Sequence, residues 1–445
     1  MEKLLDMKPK GFIKYVTPSV LMFLFIALYS VVDGIFVSAF VGTNALASIN
    51  IVIPLTGILS GVAVMLSSGS SALVAIKMGE GEQSDANQKF SFVCFSALII
   101  GIFFFLISLL CLEDLLRLMG ATELLIDDSY TYAIVFMIFA PFALISIVFE
   151  YFIRIDGNPT FTLLLYIMGG ATNIICDYIF IVLMKLGVLG AALGTCLSFL
   201  ILTMVGATYF LFFSSTLKFT WPKWKLKFLC TSCFNGISEM VSECASSITT
   251  LAANLIMIRL AGENGVAALT IVLYIHFLLI SLNLGYITGV SPIISYCYGA
   301  KQFSSINKCY NYSKKFLVVS SLGCFAVAQL AAPQFIQIFA QPGTQVYLLA
   351  LQGLRILGIS FLFTGLNIFA SGMFTAYGNG KISAIISLSS NLIAILIALL
   401  VLPYFLGISG VWAAIPVAEF LTIILTVVII HHYREQYHYT WGKQR

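Results

Sequence analysis

The 445-residue chain is 60 % hydrophobic and only 9 % charged, with a mean hydropathy of +1.02 and a net charge of +4. Soluble domains carry about 25 % charged residues, so this composition excludes a soluble protein and predicts an all-α polytopic membrane protein. The basic residues form no single stripe, so no nucleic-acid partner is predicted.

Twelve apolar runs, each long enough to cross a bilayer, predict spans 1 to 12. In chain order these predicted spans are 12–40, 46–76, 90–112, 129–153, 160–184, 188–213, 228–260, 266–298, 314–340, 345–374, 382–405 and 409–432.

The loops between these spans fall into two alternating sets with very different charge. All but four of the 23 basic residues lie in the set that shares a side with both termini; the exceptions are Arg117, Lys185, Arg259 and Arg355. Because Lys and Arg are enriched in cytoplasmic loops, we predict a multi-pass protein of the cell membrane with both termini in the cytoplasm.

The longest break between spans falls at mid-chain. It predicts three regions: an amino-terminal lobe at 1–213, a cytoplasmic linker at 214–227 and a carboxy-terminal lobe at 228–445.

The two halves match at an offset of about 220 residues. Gly79 falls on Gly299 and Gly187 on Gly407, and matched glycines are much rarer by chance than matched apolar residues. Six spans in each half give both halves the same orientation. We therefore predict two six-helix lobes related by a pseudo-twofold axis along the membrane normal, with a cavity between them.

Catalytic and nucleotide-binding motifs are missing from the sequence. There is no ATP-binding GxxxxGK[ST] and no HExxH, and the four histidines are scattered. Cys230 and Cys233 form a lone CxxC with no second pair, which disfavours a metal or redox site. We predict a transporter and not an enzyme, with no cofactor other than a coupling ion, H⁺ or Na⁺.

Six acidic residues fall inside the predicted spans: Asp33, Glu150, Asp177, Glu239, Glu243 and Glu419. A carboxylate in hydrocarbon costs about 2.5–3.5 kcal/mol or more, so each of them needs a partner, a water-filled cavity or a function.

Four polar residues of the amino-terminal lobe reach a similar depth. At a rise of 1.5 Å per residue, Asp33, Asp177 and Thr195 lie about 12–14 Å from the outer ends of their spans, and Asn173 lies one turn from Asp177. Their oxygens suit a coupling H⁺ or a bound Na⁺. The alternative is a polar network that only fixes helix packing.

The remaining acids support several interpretations. Glu239 and Glu243 share one face of span 7, which favours a place in a substrate cavity over structural pairing. Glu150 and Arg154 are four residues apart on span 4 and predict a structural ion pair. Glu419 in span 12 fits a functional role and a merely paired one equally well.

The cation-site pattern of Asp33, Asn173, Asp177 and Thr195 resembles the amino-lobe site of the multidrug and toxic compound extrusion (MATE) family. The segment 154–159 resembles the family's R-x-x-G-N-P motif, 378–381 is its counterpart in the second half, and 234–239 is similar to the MepA-like and DinF-like bacterial branches. The resemblance covers essentially the whole chain. It implies a twelve-helix antiporter that exports drugs in exchange for H⁺ or Na⁺.

One departure from the family pattern concerns the carboxy-terminal lobe. Some branches carry cation-site acids there, notably in span 10, but span 10 of this chain contains Arg355 and Asn367 and no acid. We therefore expect ion coupling in the amino-terminal lobe.

Substrate class follows from the charges inside the spans. Six acids and almost no bases favour small-molecule drugs of cationic character over the alternative, a flippase for a lipid-linked anionic precursor. The repeat favours alternating access over a channel. We expect a monomer embedded in the lipid bilayer.

Overall fold

The computed structural model describes residues 8–41 and 43–439, without the side chains of 31–39, 43, 44 and 46, and this part of the chain is built of helices joined by short loops. The spans of the amino-terminal half are Pro9–Phe40, Thr43–Gly79, Gln83–Leu118, the bent pair Ile126–Ile138 and Ala140–Ile155, Pro159–Asp177 with Tyr178–Leu183, and Val188–Thr208 with Tyr209–Phe213.

The carboxy-terminal half repeats this arrangement. Spans 7 and 8 form Leu226–Gly299; the others are Phe303–Leu330 with the short Ala332–Gln337, Gln345–Leu357 with Gly358–Ser360 and Phe361–Ala376, Gly380–Leu388 with Ser389–Ile393 and Ala394–Leu406, and Ile408–Tyr433.

The described helices account for twelve crossings of a membrane. Ten are long and apolar enough to span, and the pair Ile126–Ile138 and Ala140–Ile155, bent by 54°, makes an eleventh. Leu226–Gly299 has 74 residues, about 110 Å of helix, which is more than three times the hydrocarbon thickness. Its backbone leaves the helical region at Gly262, where φ is 62° and ψ is −154°, so it divides into two spans.

Two predicted boundaries are wrong for the same reason. Spans 3 and 9 begin at Gln83 and Phe303, earlier than the predicted 90 and 314, because their first turns are polar and extend beyond the apolar run. Span 9 also ends early, at Leu330, since Pro333 starts a separate short helix. The non-helical linker is correspondingly 214–225, because span 7 begins at Leu226.

The repeat is visible in the backbone of equivalent turns. Asn158 and Asn379 each cap a helix by accepting a hydrogen bond from the amide three residues ahead, at 3.2 and 3.3 Å. Gly187 and Gly407 have nearly the same conformation, with φ of 59° and 57°, which favours glycine. The two halves therefore share their turn chemistry as well as their hydropathy.

The lobes meet through bare backbone at one end of the bundle, the end at which spans 1, 3, 5, 7, 9 and 11 begin. We call it the basic end. A Cβ on Gly79 would collide with the carbonyl oxygen of Tyr296, and a Cβ on Gly299 would collide with that of Ile76. Ile76 and Tyr296 are themselves 220 residues apart, so this contact between spans 2 and 8 is symmetric. Glycine is needed here for close approach of the helices.

Candidate functional site

A cavity of about 580 Å³ lies between the two lobes, lined by spans 1, 2, 4 and 5 on one side and by spans 7, 8, 10, 11 and 12 on the other. The charged or titratable residues on its wall include Glu150, Arg154, Glu239, Glu243, His276 and Glu419. Acids thus outnumber bases in this cavity by two to one.

Glu239 and Glu243 both lie on the cavity wall. Span 2 leaves room for them, because a Cβ on Gly61 would lie only 3.5 Å from the Cβ of Glu243. Within the described residues, neither glutamate forms an ion pair with a basic side chain. Their carboxylates are therefore placed where a cation in the cavity could compensate them.

Glu150 and Arg154 form an ion pair near the basic end of the cavity. Arg154 Nη2 lies 2.5 Å from Glu150 Oε1, and the Tyr166 hydroxyl donates to the other carboxylate oxygen. The guanidinium also faces the ring of Tyr151, at 4.4 Å from its centroid. The positive charge of Arg154 is thus largely committed to groups of its own lobe.

Glu419 is held by side chains from spans 10 and 11. Asn367 Nδ2 donates to Oε2 at 2.6 Å and Ser390 Oγ donates to Oε1 at 3.1 Å, while Thr426 Oγ1 donates to Asn367 Oδ1 at 2.8 Å. The sequence contains no local signal for this network, because Asn367 and Glu419 are 52 residues apart. A buried carboxylate is here matched with neutral donors.

His276 is a cavity residue that the sequence does not single out. It lies on span 8, and its ring stacks on Phe361 at 5.4 Å between centroids. Its position among scattered histidines carries no recognisable spacing, so only the fold brings it to the cavity.

The predicted cation-site residues lie elsewhere, inside the amino-terminal lobe. Asn173 and Asp177 are buried on span 5, and Thr195 is half-buried on span 6. A Cβ on Gly194, next to Thr195, would collide with Asp177 Oδ1, so this carboxylate lies directly against span 6.

Span 1 reaches the same region. It crosses span 5 where Phe25 packs onto Gly170, at 2.8 Å from the position of a Cβ. The two spans run in the same direction, so Asp33 and Asp177 follow this crossing by about 12 and 10 Å of helix. The side chain of Asp33 lies outside the described residues. None of Asn173, Asp177 and Thr195 lines the cavity.

Comparison with known proteins identifies the repeated unit. The MatE family model matches residues 18–179 and 240–400, once in each half of the chain. Together these segments cover well over half of the sequence.

Curated relatives align along almost the whole length. "Multidrug export protein MepA" of Staphylococcus saprophyticus subsp. saprophyticus is 23 % identical over 434 residues, covering 96 % of this chain and 94 % of the relative. The protein of the same name from Staphylococcus haemolyticus is 24 % identical over 433 residues with the same coverage.

Solved structures share the fold closely. One, described as the outward-facing conformation of a multidrug resistance MATE family transporter of the MOP superfamily, superposes with a TM-score of 0.91 at 24 % identity and covers 98 % of both chains. The MATE multidrug transporter DinF-BH, solved as a complex, superposes with a TM-score of 0.89 at 28 % identity and covers 97 % of both chains.

Proposed function

The chain belongs to the MatE family, and we propose that it is a secondary-active multidrug efflux antiporter of the cell membrane. It exports organic cations or amphipathic drugs in exchange for H⁺ or Na⁺ by alternating access between its two lobes. The relatives named as multidrug export proteins, and the similar structure of a MATE multidrug transporter, support drug efflux.

The charge of the cavity supports a cationic substrate class. Glu239 and Glu243 lie on its wall without basic partners among the described residues, whereas Arg154 is already paired with Glu150. In a low-dielectric site, unpaired carboxylates attract cations and repel anions. This observation carries the proposal, and it argues against the anionic headgroup that a flippase for a lipid-linked precursor would bind.

The coupling ion binds in a different place from the drug. Asn173, Asp177 and Thr195 lie inside the amino-terminal lobe and away from the cavity, and Asp33 of span 1 completes the group. An ion bound there bends or repacks spans 1, 5 and 6 without touching the substrate. Exchange then results because each ligand favours a different arrangement of the same helices.

The closed contact at the basic end defines the conformational state. Loops at this end carry most of the lysines and arginines, so we assign it to the cytoplasm. With Gly79 and Gly299 in backbone contact there, the cavity has its access from the outer side, the state that releases drug. Return to the inward-facing state requires this contact to separate.

Transport by the purified full-length protein in liposomes tests the proposal. A fluorescent organic cation should be moved against its own gradient when a proton or Na⁺ gradient of the correct direction is imposed, and dissipating that gradient should stop it. A rate that does not change when both gradients are collapsed would refute secondary-active antiport. Equal transport of a matched organic anion would refute the substrate class.

A further inference from the structure

We propose that the linker between the lobes, residues 214–225, is a lipid-binding strap that holds anionic phospholipid headgroups of the leaflet at the basic end. This inference concerns the membrane around the protein and does not depend on the transported substrate.

The strap is fixed to the amino-terminal lobe. The Asp156 carboxylate accepts hydrogen bonds from Ser214 Oγ at 2.9 Å, from the Leu217 amide at 2.8 Å and from Thr216 Oγ1 at 2.5 Å. Further along, the ring of Phe219 stacks on Phe90 at 5.0 Å. The linker therefore presents a defined surface and does not act as a free tether.

Its second half lies at the depth of the membrane surface. The ring of Trp224 packs edge-on against Phe92 and Phe95 of span 3, at 5.9 and 5.3 Å between centroids. Span 3 is uncharged from Phe90 to Leu112, so these contacts lie about 3–8 Å past the start of its apolar stretch. This is the headgroup–acyl boundary, where Trp is enriched in membrane proteins.

The strap also carries positive charge that the protein does not neutralise. Lys225 pairs with Asp85 at 2.9 Å. Lys218, Lys223 and Lys227, the last of them just beyond the strap, are exposed, and none of them has a carboxylate within ion-pair distance in the described part of the chain. Basic clusters beside a membrane span attract anionic lipids of the adjacent leaflet.

Trp221 distinguishes a lipid from a soluble acidic partner. Its side chain is 91 % exposed and stands among these lysines. An indole at this depth enters the acyl boundary while the lysines reach the phosphates. The sequence repeats the pattern at the offset of 220, with Trp441 and Lys443 in the places of Trp221 and Lys223.

The test uses the full-length protein in nanodiscs of phosphatidylcholine containing a minority of phosphatidylglycerol. Either lipid is brominated in turn, and the quenching of Trp221 is obtained by subtracting the fluorescence of Trp221→Phe. Brominated phosphatidylglycerol should quench Trp221 as if enriched about fivefold over its bulk fraction, and raising the salt concentration should reduce this enrichment.

Charge variants locate the effect. Lys218→Gln with Lys223→Gln and Lys227→Gln should abolish the enrichment, and the corresponding arginine variants should restore it. The matched control replaces three exposed lysines at the basic end of the other lobe: Lys301, Lys308 and Lys381. Equal quenching by both lipids in the wild type would overturn the proposal, as would an equal loss in the control. An unquenched Trp221 would indicate a soluble partner and would overturn it too.

Discussion

At the scale of single residues, Gly194 shows how closely the amino-terminal site is built. The Asp177 carboxylate occupies the space that a side chain at this position would take. We expect Gly194→Ala to displace the carboxylate and to slow gradient-driven transport about tenfold or more, because a coupling ion needs its ligands in register. Initial transport rates in proteoliposomes measure this. Gly323→Ala is the matched control, since a Cβ there meets nothing within 4 Å. Wild-type rates in both variants would remove Asp177 from the coupling machinery.

Glu239 and Glu243 allow a second prediction at this scale. Like charges one helical turn apart repel each other, and a bound cation relieves the repulsion. Replacing both by Gln should therefore weaken the binding of a cationic dye about tenfold or more and spare a neutral dye of the same shape. Equilibrium binding of the dye pair to detergent-purified protein is the measurement. An equal loss for both dyes would mean that the glutamates only hold span 7 in place.

At the scale of the elements, the linker depends on one carboxylate. Burial alone would raise the pKa of Asp156, but the hydrogen bonds that it accepts, first from Thr216 and Tyr209, outweigh burial and lower it. A carboxyl group with a lowered pKa stabilises the folded arrangement at pH values above its ordinary pKa of about 3.9. That stabilisation is lost as the pH falls through the lowered value, so the linker stays docked at neutral pH.

Asp156→Asn should release the linker, because it removes the charge and leaves several donors unpaired. The expected cost is about 3 kcal/mol. Hydrogen exchange should then become faster in 214–220, with the rest of the amino-terminal lobe unchanged. Asp85→Asn is the control, since Asp85 contacts the linker only through Lys225 at its far end. Unchanged protection of 214–220 in Asp156→Asn would show that the aromatic contacts of Phe219 hold the strap alone.

Hydropathy and loop charge predict where most spans begin and end, because exposure to lipid depends on the local composition of the chain. They fail where a polar first turn extends a helix, as at Phe303. They also miss contacts between distant segments, such as Asp156 with the linker and Asn367 with Glu419. Those depend on which helices become neighbours, and no local pattern indicates this. The matched glycines at 220 residues apart did predict the two lobes, since both ends of each pair make equivalent turns or crossings.

At the scale of the whole molecule, the symmetric crossing of spans 2 and 8 is the contact that must break during transport. Gly79→Ala would overpack it, at a cost of about 1–3 kcal/mol, and should shift the population towards the state that is open at the basic end. Spin labels at Ser84 and Ser304, which are equivalent exposed positions on the two lobes, should report a longer distance. Gly323→Ala should leave the distance distribution unchanged. An unchanged distribution in Gly79→Ala would show that other contacts hold the lobes together.

The central claim is that an ion bound in the amino-terminal lobe drives export through the separate cavity. Its most direct test is uptake of a fluorescent organic cation by proteoliposomes under an imposed proton or Na⁺ gradient, comparing the wild type with Asp33→Asn and Asp177→Asn. Dye binding to the same preparations controls for folding. We expect both variants to bind the dye but to lose gradient-driven transport. Wild-type transport by a dye-binding Asp33→Asn variant would contradict the account.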